Sequence, residues 1–250
     1  MNKRQRIEIF SETMDIIHAE RERYGFMDHV INRYDDKSKI EEPCPGYETI
    51  ISITYNDTLY EVQNLIDETS DKTGFLVMAS EKNRGGGVQN GAQAQEEDIL
   101  RRCDLFPSLR HIPYPIKNHC TIAFDNVQIF RLSASEDSTI LDVPYKATAL
   151  LSPAIRRPRL VSVDDRRKYQ INMKKKIDIL LTAAVKQKCV NIVLGAWGCG
   201  AFYNPPELVA KCFKDVITEK YIGWFKKIVF AILDGRRTSN YITFKGIFED

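Results

Sequence analysis

The chain has 250 residues, with 36 Lys+Arg against 34 Asp+Glu for a formal charge of +2, and 43% hydrophobic and 28% charged residues. That is a soluble globular composition; it excludes fibrous and disordered classes, and at this length one core buries roughly 70–75% of the surface of the unfolded chain. The near-neutral balance argues against nucleic acid as a direct partner beyond local basic patches, and the longest apolar stretches, 192–202 and 228–233, fall short of the roughly 20 residues a membrane helix needs.

Lys3, Arg4 and Arg6 open the chain, but Glu8, Glu12 and Asp15 interrupt the apolar region a cleaved secretion signal requires. The six cysteines (Cys44, Cys103, Cys120, Cys189, Cys199 and Cys212) include no C-x-x-C pair, so neither a zinc site nor a disulfide framework is signalled. Reduced thiols in an intracellular, cytoplasmic protein are the default, and delivery into another cell by a route without a cleaved signal stays open. From Ile7 to about Tyr24, Ile7, Phe10, Met14 and Ile17 recur at the spacing of an amphipathic helix. Residues 33–47, polar and ending in Pro43-Cys44-Pro45-Gly46, read as a loop or covering segment and as the only internal boundary. Within a single domain over 1–250, that marks off an N-terminal helix and covering segment, 1–47, from the core, 48–250.

Beyond it, strand-like runs alternate with helical patterns. Strands are expected at 49–55 and 75–79, a helix near 92–105, and a hairpin formed by 121–124 and 127–132 around Asp125-Asn126. Then come a strand at 147–151 and a helix over 166–188 with Tyr169, Met173, Ile177, Leu180 and Ala184 on one face. A strand at 191–194, a helix from Pro205 and a strand at 228–233 complete the series. Interleaved strands and helices imply an α/β fold with a mostly parallel or mixed sheet covered on both faces. Arg166, Arg167, Lys168, Lys174, Lys175 and Lys176 read as a solvated helix face with acids nearby, or as a contact for a polyanion.

Two glycine-rich segments follow strands and lead into helices. In the first, Gly85, Gly86 and Gly87 precede Gln95-Glu96-Glu97. Consecutive glycines let a backbone approach a ligand and present its N–H groups, at the strand end where α/β sheets bind ligands; a plain tight turn explains them equally well. Glu96 and Glu97, adjacent on a helix, point about 100° apart and cannot act symmetrically. In one pocket, one carboxylate accepts hydrogen bonds while the other, raised by its neighbour's charge, serves as an acid; otherwise both simply complement the helix dipole. The second segment, from Leu194 through Gly195, Gly198, Cys199, Gly200, Ala201 and Phe202 to Pro206, matches neither G-x-x-x-x-G-K-[ST] nor G-x-G-x-x-G. A pyrophosphate held by backbone N–H groups fits it better. Phe202 is either core or an aromatic wedge against a sugar ring, and Cys199, with no histidine beside it in sequence, reads as a small loop residue.

Three glycines, seven residues and Gln-Glu-Glu, followed in order by Arg101-Arg102-Cys103-Asp104-Leu105-Phe106-Pro107-Ser108-Leu109, Val127-Gln128-Ile129-Phe130-Arg131 and the second glycine loop, resemble the microbial-type poly(ADP-ribose) glycohydrolases. The resemblance extends to Glu12-Thr13 in the first helix. It implies a three-layer α/β/α macrodomain-like fold with a central mixed sheet and an N-terminal helical extension, with no metal or cofactor, acting as a monomer. It also implies ADP-ribose, poly(ADP-ribose) or ADP-ribosylated proteins as partners. Carried over by position, Glu97 is the catalytic acid/base and Glu96 holds hydroxyls of the reacting ribose. Gly85, Gly86 and Gly87 then form the catalytic loop, and Asn83, Val88 and Gln95 join them in binding ADP-ribose. Gly195, Gly198, Cys199, Gly200 and Ala201 hold the pyrophosphate, and Phe202 sets the terminal ribose. Arg84 stands where the family commonly has Pro, and Val77 where many members have Asn. The implied reaction is cleavage of the ribose–ribose bond of poly(ADP-ribose). Removal of single ADP-ribosyl groups from protein, and non-catalytic ADP-ribose binding, use the same pocket.

Overall fold

The computed structural model describes residues 1–235 and 239–249. In chain order the elements are helices α1 (Lys3–Ala19) and α2 (Arg21–Tyr24), strands β1 (Val30–Asp35) and β2 (Ile50–Thr54), helix α3 (Thr58–Thr69), strand β3 (Thr73–Met78), and helices α4 (Gln95–Leu100) and α5 (Leu105–Ser108). The second half runs β4 (Cys120–Arg131), β5 (Ile140–Ser152), α6 (Val163–Lys186), β6 (Asn191–Leu194), α7 (Pro206–Val216), β7 (Lys227–Ala231) and α8 (Asn240–Glu249). The strands form one sheet in the order β1-β4-β5-β3-β6-β7-β2. Pairs β1–β4 and β4–β5 are antiparallel, and the other four pairs are parallel.

Side chains alternate across this sheet, so β3 feeds two cores. Leu76 packs on one face with Met173, Ile177 and Leu180 of α6, Phe213 of α7 and Phe244 of α8. Phe75 and Val77 pack on the other with Phe10 of α1, Leu59 and Val62 of α3, and Leu100 of α4. The result is a three-layer α/β/α arrangement around a mixed sheet, as expected. Its helices start where polar side chains accept the free N–H groups of a first turn. Asp57 accepts from Leu59 and Tyr60, Ser162 and Asp165 form a reciprocal box, and Asp234 accepts from Asn240 and Tyr241.

Three expectations need correction. The anticipated hairpin at Asp125-Asn126 is a single strand, β4, carrying a bulge: Phe124 pairs with Ala149 and Val127 with Ala147, so β4 spends one extra residue there. Asn126 takes a left-handed φ of 62°, which Asn tolerates and which makes Asp-Asn read as a turn. The segment 33–47 is not all loop, because its first residues belong to edge strand β1, where only Tyr34 is buried. An exposed edge strand lacks the apolar run that marks buried ones. Lys176 is no part of a solvated face; it is 4% exposed and donates from Nζ to the Pro153 carbonyl at 3.0 Å. The rest of that face is solvated, with Lys174 on Asp215 and Lys175 on Asp36. Helices α3 and α8 fall outside the expected elements.

Because β3, β5, β6 and β7 run parallel, their C-terminal ends share one edge of the sheet. The glycine-rich segments leave β3 and β6, which are neighbours, and so the topology sets the two loops side by side.

Candidate active site

After β3 the chain turns through Ala79–Ser80 into the first glycine loop, where Gly85 and Gly86 take φ of 67° and 59°. A side chain at Gly86 would be strained by φ and would meet both acids, ending 2.9 Å from Glu96 Oε2 and against Glu97 Oε1. At Gly85 it would strike the Phe106 ring at 2.7 Å. Both carboxylates therefore lie against the same loop, which is why that loop is glycine.

Their partners differ. Glu97 Oε1 accepts the Gly87 N–H at 2.9 Å and Oε2 accepts the Ala94 N–H at 3.0 Å, so this carboxylate joins the glycine loop to the start of α4. Glu96 Oε2 accepts the Ser80 N–H at 2.7 Å, while its Oε1 is buried and finds no partner among the described residues. Burial, helped by the Glu97 charge and opposed by the Ser80 N–H, holds the Glu96 carboxyl up at about 8. The raised group is Glu96, not the Glu97 to which position assigns the acid role, and burial more than its neighbour's charge raises it.

Gln95 positions this pair. Its Nε2 donates to the Leu76 carbonyl at 2.6 Å and to Thr58 Oγ1 at 3.1 Å, and its Oε1 accepts the Met78 N–H at 2.9 Å, so the amide clamps α4 to the end of β3. Val88 is buried in the core below the loop. Asn83 is exposed, and its carbonyl accepts the Gly86 N–H at 3.0 Å to close the turn. Tyr114 is an addition that no sequence spacing signals. Its hydroxyl is buried, it lies under the Arg84 guanidinium, and burial together with the Glu96 charge pushes it up against the opposing Gly85 backbone and Arg84 charge.

The second loop is pinned to the end of β5. Asn204 donates to the Ile155 and Gly198 carbonyls and accepts from Tyr169 Oη at 2.9 Å, while Trp197 Nε1 donates to the Ser152 carbonyl at 3.1 Å. Gly198, at φ 75°, leaves no space for a Cβ beside Ala154, and a Cβ at Gly195 would meet Met78 at 2.5 Å. At Gly200 nothing lies within 4 Å of that position. Gly200 and Ala201 are exposed, so solvent and ligands reach this part of the loop. Burial pushes the Cys199 thiol up, away from a nucleophilic thiolate. Phe202 is half-buried against the core, with the Arg156 guanidinium 5.8 Å from its ring centre.

The Arg101-Arg102-Cys103-Asp104 motif lies behind the site as a buried knot. Arg101 donates to the Ala92 carbonyl, Arg102 reaches Asp57, Asp98 and the Arg131 carbonyl, and Asp104 accepts from Met27 and Gln128 N–H groups. His29 bridges Asp104 at 2.9 Å and Ser108 at 2.8 Å. This Ser-His-Asp arrangement is sealed from solvent, with the His29 side chain 1% exposed, and serves as a latch. Glu12-Thr13 of α1 meets the same knot, Thr13 on the Arg101 carbonyl and Glu12 on Arg131.

A family model described as "Microbial-type PARG, catalytic domain" matches residues 3–129, from α1 through both acids and into β4. The chain belongs to this family. Its fold is similar to that of the poly(ADP-ribose) glycohydrolase of Thermomonospora curvata, at 26% identity over 98% of this chain and 100% of that one, with a TM-score of 0.85. The same bacterial protein bound to the inhibitor ADP-HPD matches with a TM-score of 0.81. The glycohydrolase of Deinococcus radiodurans in complex with ADP-ribose matches at 26% identity over 96% of this chain and 92% of that one, with a TM-score of 0.72. No curated protein matches the chain. Its family places this chain among enzymes.

Proposed function

We propose that the chain is a poly(ADP-ribose) glycohydrolase that cleaves the ribose–ribose O-glycosidic bond and releases ADP-ribose, with Glu97 as general acid/base. One observation carries this reading: two buried carboxylates converge on Gly86 at the end of β3, next to a second glycine loop suited to a pyrophosphate. Family membership and the ADP-ribose and ADP-HPD complexes of the bacterial relatives support it. In this reading α1 and the core act as one catalytic unit, since they share the knot behind the site.

Departure of a ribose leaves an oxocarbenium-like carbon and an alkoxide, so a proton must reach the leaving oxygen. Burial holds the Glu96 carboxyl up at about 8, so Glu96 keeps a proton at neutral pH. The proton for the leaving oxygen is delivered from Glu97. Ionised by that transfer, Glu97 offsets the cationic carbon and then takes a proton from the attacking water. Glu96 accepts ribose hydroxyls at its open Oε1. That same open, buried oxygen favours a second reading in which Glu96 itself is the donor. Replacing each acid by Gln separates the two. In the first reading Glu97→Gln binds ADP-ribose nearly as well as the parent and loses cleavage by about 10²–10⁴-fold, whereas Glu96→Gln loses both affinity and rate. Product analysis on polymer, alongside ADP-ribose calorimetry, reads the outcome. Near-parental cleavage by a folded Glu97→Gln protein would transfer the donor role to Glu96. Release of ADP-ribose from singly modified protein alone would move the substrate to mono-ADP-ribosylated side chains.

A further inference from the structure

Beside the two glycine loops, on the side of β3 away from β6, a cavity of about 460 Å³ opens at the C-terminal end of β5. It is of the size that accepts a nucleotide-sized ligand. One wall is Glu81, next in sequence to the Ser80 whose N–H Glu96 holds. The segment after β5 also lines it, and that segment is tied to the second glycine loop by the Arg157 N–H on the Phe202 carbonyl at 2.8 Å. The floor is α6, from which buried Lys176 donates to the Pro153 carbonyl at 3.0 Å. The lining carries four cations, Arg156, Arg159, Lys168 and Lys176, against two carboxylates, Glu81 and Asp165. Arg159 pairs loosely with Asp165 at 3.5 Å, while Arg156 and Lys168 form no ion pair among the described residues. The protein's net charge is only +2, so this is a local concentration of positive charge in a concave site, and nothing in the reading above has used it.

Direction decides what it holds. The terminal ADP-ribose lies from the loop after β3, where the acids are, toward the loop after β6, where its pyrophosphate goes. The bond to be broken is therefore at the β3 end, and the remaining polymer must leave across β5. We propose that this cavity is the subsite for the ADP-ribose unit on the leaving side of the scissile bond, with Arg156, Arg159 and Lys168 facing its pyrophosphate. The leaving oxygen is the 2′ oxygen of that unit's ribose, and its 5′ carbon carries the pyrophosphate, so a cationic pocket next to the acids meets the group's charge. Holding it aligns the leaving oxygen with the donor carboxyl.

The proposal rests on the glycohydrolase reading, and the test keeps the two apart. Two substrates are compared on the full chain: poly(ADP-ribose), and the ADP-ribose glycoside whose reacting ribose carries methanol in place of a second unit. The parent protein's cleavage of polymer tests the glycohydrolase reading alone. The test variant carries Arg159→Gln and Lys168→Gln, which spares Arg156 and its contact with Phe202. The ratio of kcat/KM for polymer to that for the methyl glycoside should fall about tenfold in this variant, two solvated charge-assisted contacts being removed. Added salt should shrink the difference, and the charge-keeping variant Arg159→Lys with Lys168→Arg should restore the ratio. An unchanged ratio, or a proportional loss on both substrates, would overturn the proposal while leaving the glycohydrolase reading in place.

Discussion

Glu96 and Glu97 are neighbours in sequence, and the backbone treats them differently: two N–H groups fall to Glu97 and one to Glu96, whose second oxygen is left bare. The folded Glu96 carboxyl titrates at about 8 against an ordinary value of 4.5, so the folded state keeps a proton that the unfolded state has released. Its contribution is full below about 4.5 and is lost as pH rises to about 8, where the loss levels off. Glu96→Gln does not titrate, so the variant should gain on the parent by up to a few kcal/mol between those limits. Urea unfolding of both proteins at pH 5, 7 and 9 reads this, and parallel pH dependences would show that the folded carboxyl ionises freely. A second residue prediction concerns Phe202. The ring is half-buried in the second glycine loop, and on the proposed role of orienting the reacting ribose Phe202→Ala should lower kcat on polymer by about 10–100-fold with a smaller change in ADP-ribose affinity. Unchanged turnover in a folded variant would make the ring core packing alone. The paired acids and both glycine loops are legible in the sequence because glycine and carboxylate types are themselves the signal. Gln95 and Val88 are not, since a sequence does not reveal that one amide is spent on β3 and the other side chain on the core. Tyr114 reaches the site by tertiary folding alone.

Among the elements, the strands buried on both faces are the legible ones: β3, β6 and β7 fall where apolar runs predict them. The long face of α6 is equally legible, with Tyr169, Met173, Ile177, Leu180 and Ala184 all buried. What misleads is local turn chemistry without a turn, as at the Asn126 bulge, and exposure without a loop, as in β1. α3 carries a readable signal, an Asp57 cap ahead of Leu59, Val62 and Leu65. α1 has a role beyond its amphipathic pattern. Arg6 Nε donates to the Gly91 carbonyl at 2.7 Å, and a side chain at Gly91 would strike the Lys3 carbonyl, so this helix closes down on the exit of the catalytic loop. Arg6→Ala removes one partly buried charge-assisted bond and should cost about 1–2 kcal/mol of stability. The loop should loosen more than the molecule does, and kcat on polymer should fall several-fold with the unfolding transition still cooperative. Calorimetry with steady-state kinetics checks this; a variant that lost stability and kept full kcat would confine α1 to a packing role.

At the scale of the whole molecule, the boundary expected near residue 47 does not divide the packing. Phe10, Ile17 and Phe26 are buried, Phe10 edge-on to Phe106 at 4.9 Å and Phe26 against Phe130 at 5.1 Å. Removing residues 1–24 would uncover Phe106, which backs Gly85, and would strip Thr13 from the Arg101 carbonyl and Glu12 from the buried Arg131 guanidinium. Burial of each large apolar side chain is worth about 1.5–3 kcal/mol, and a buried charge or carbonyl left without its partner costs about 1–3 kcal/mol more. These losses together approach the 5–15 kcal/mol that typically holds a domain of this kind folded. The fragment 25–250 should therefore fail to form a tight core: near-ultraviolet circular dichroism should collapse, the melting transition should broaden or vanish, and polymer hydrolysis should be lost together with ADP-ribose binding. A removable cover predicts a different result, a fragment that melts cooperatively close to the parent and differs only in turnover. The distinction matters for the chemistry as well. The knot that α1 completes also fixes Arg101 on the Ala92 carbonyl, three residues before Gln95, so the position of both acids depends on a helix at the far end of the sequence.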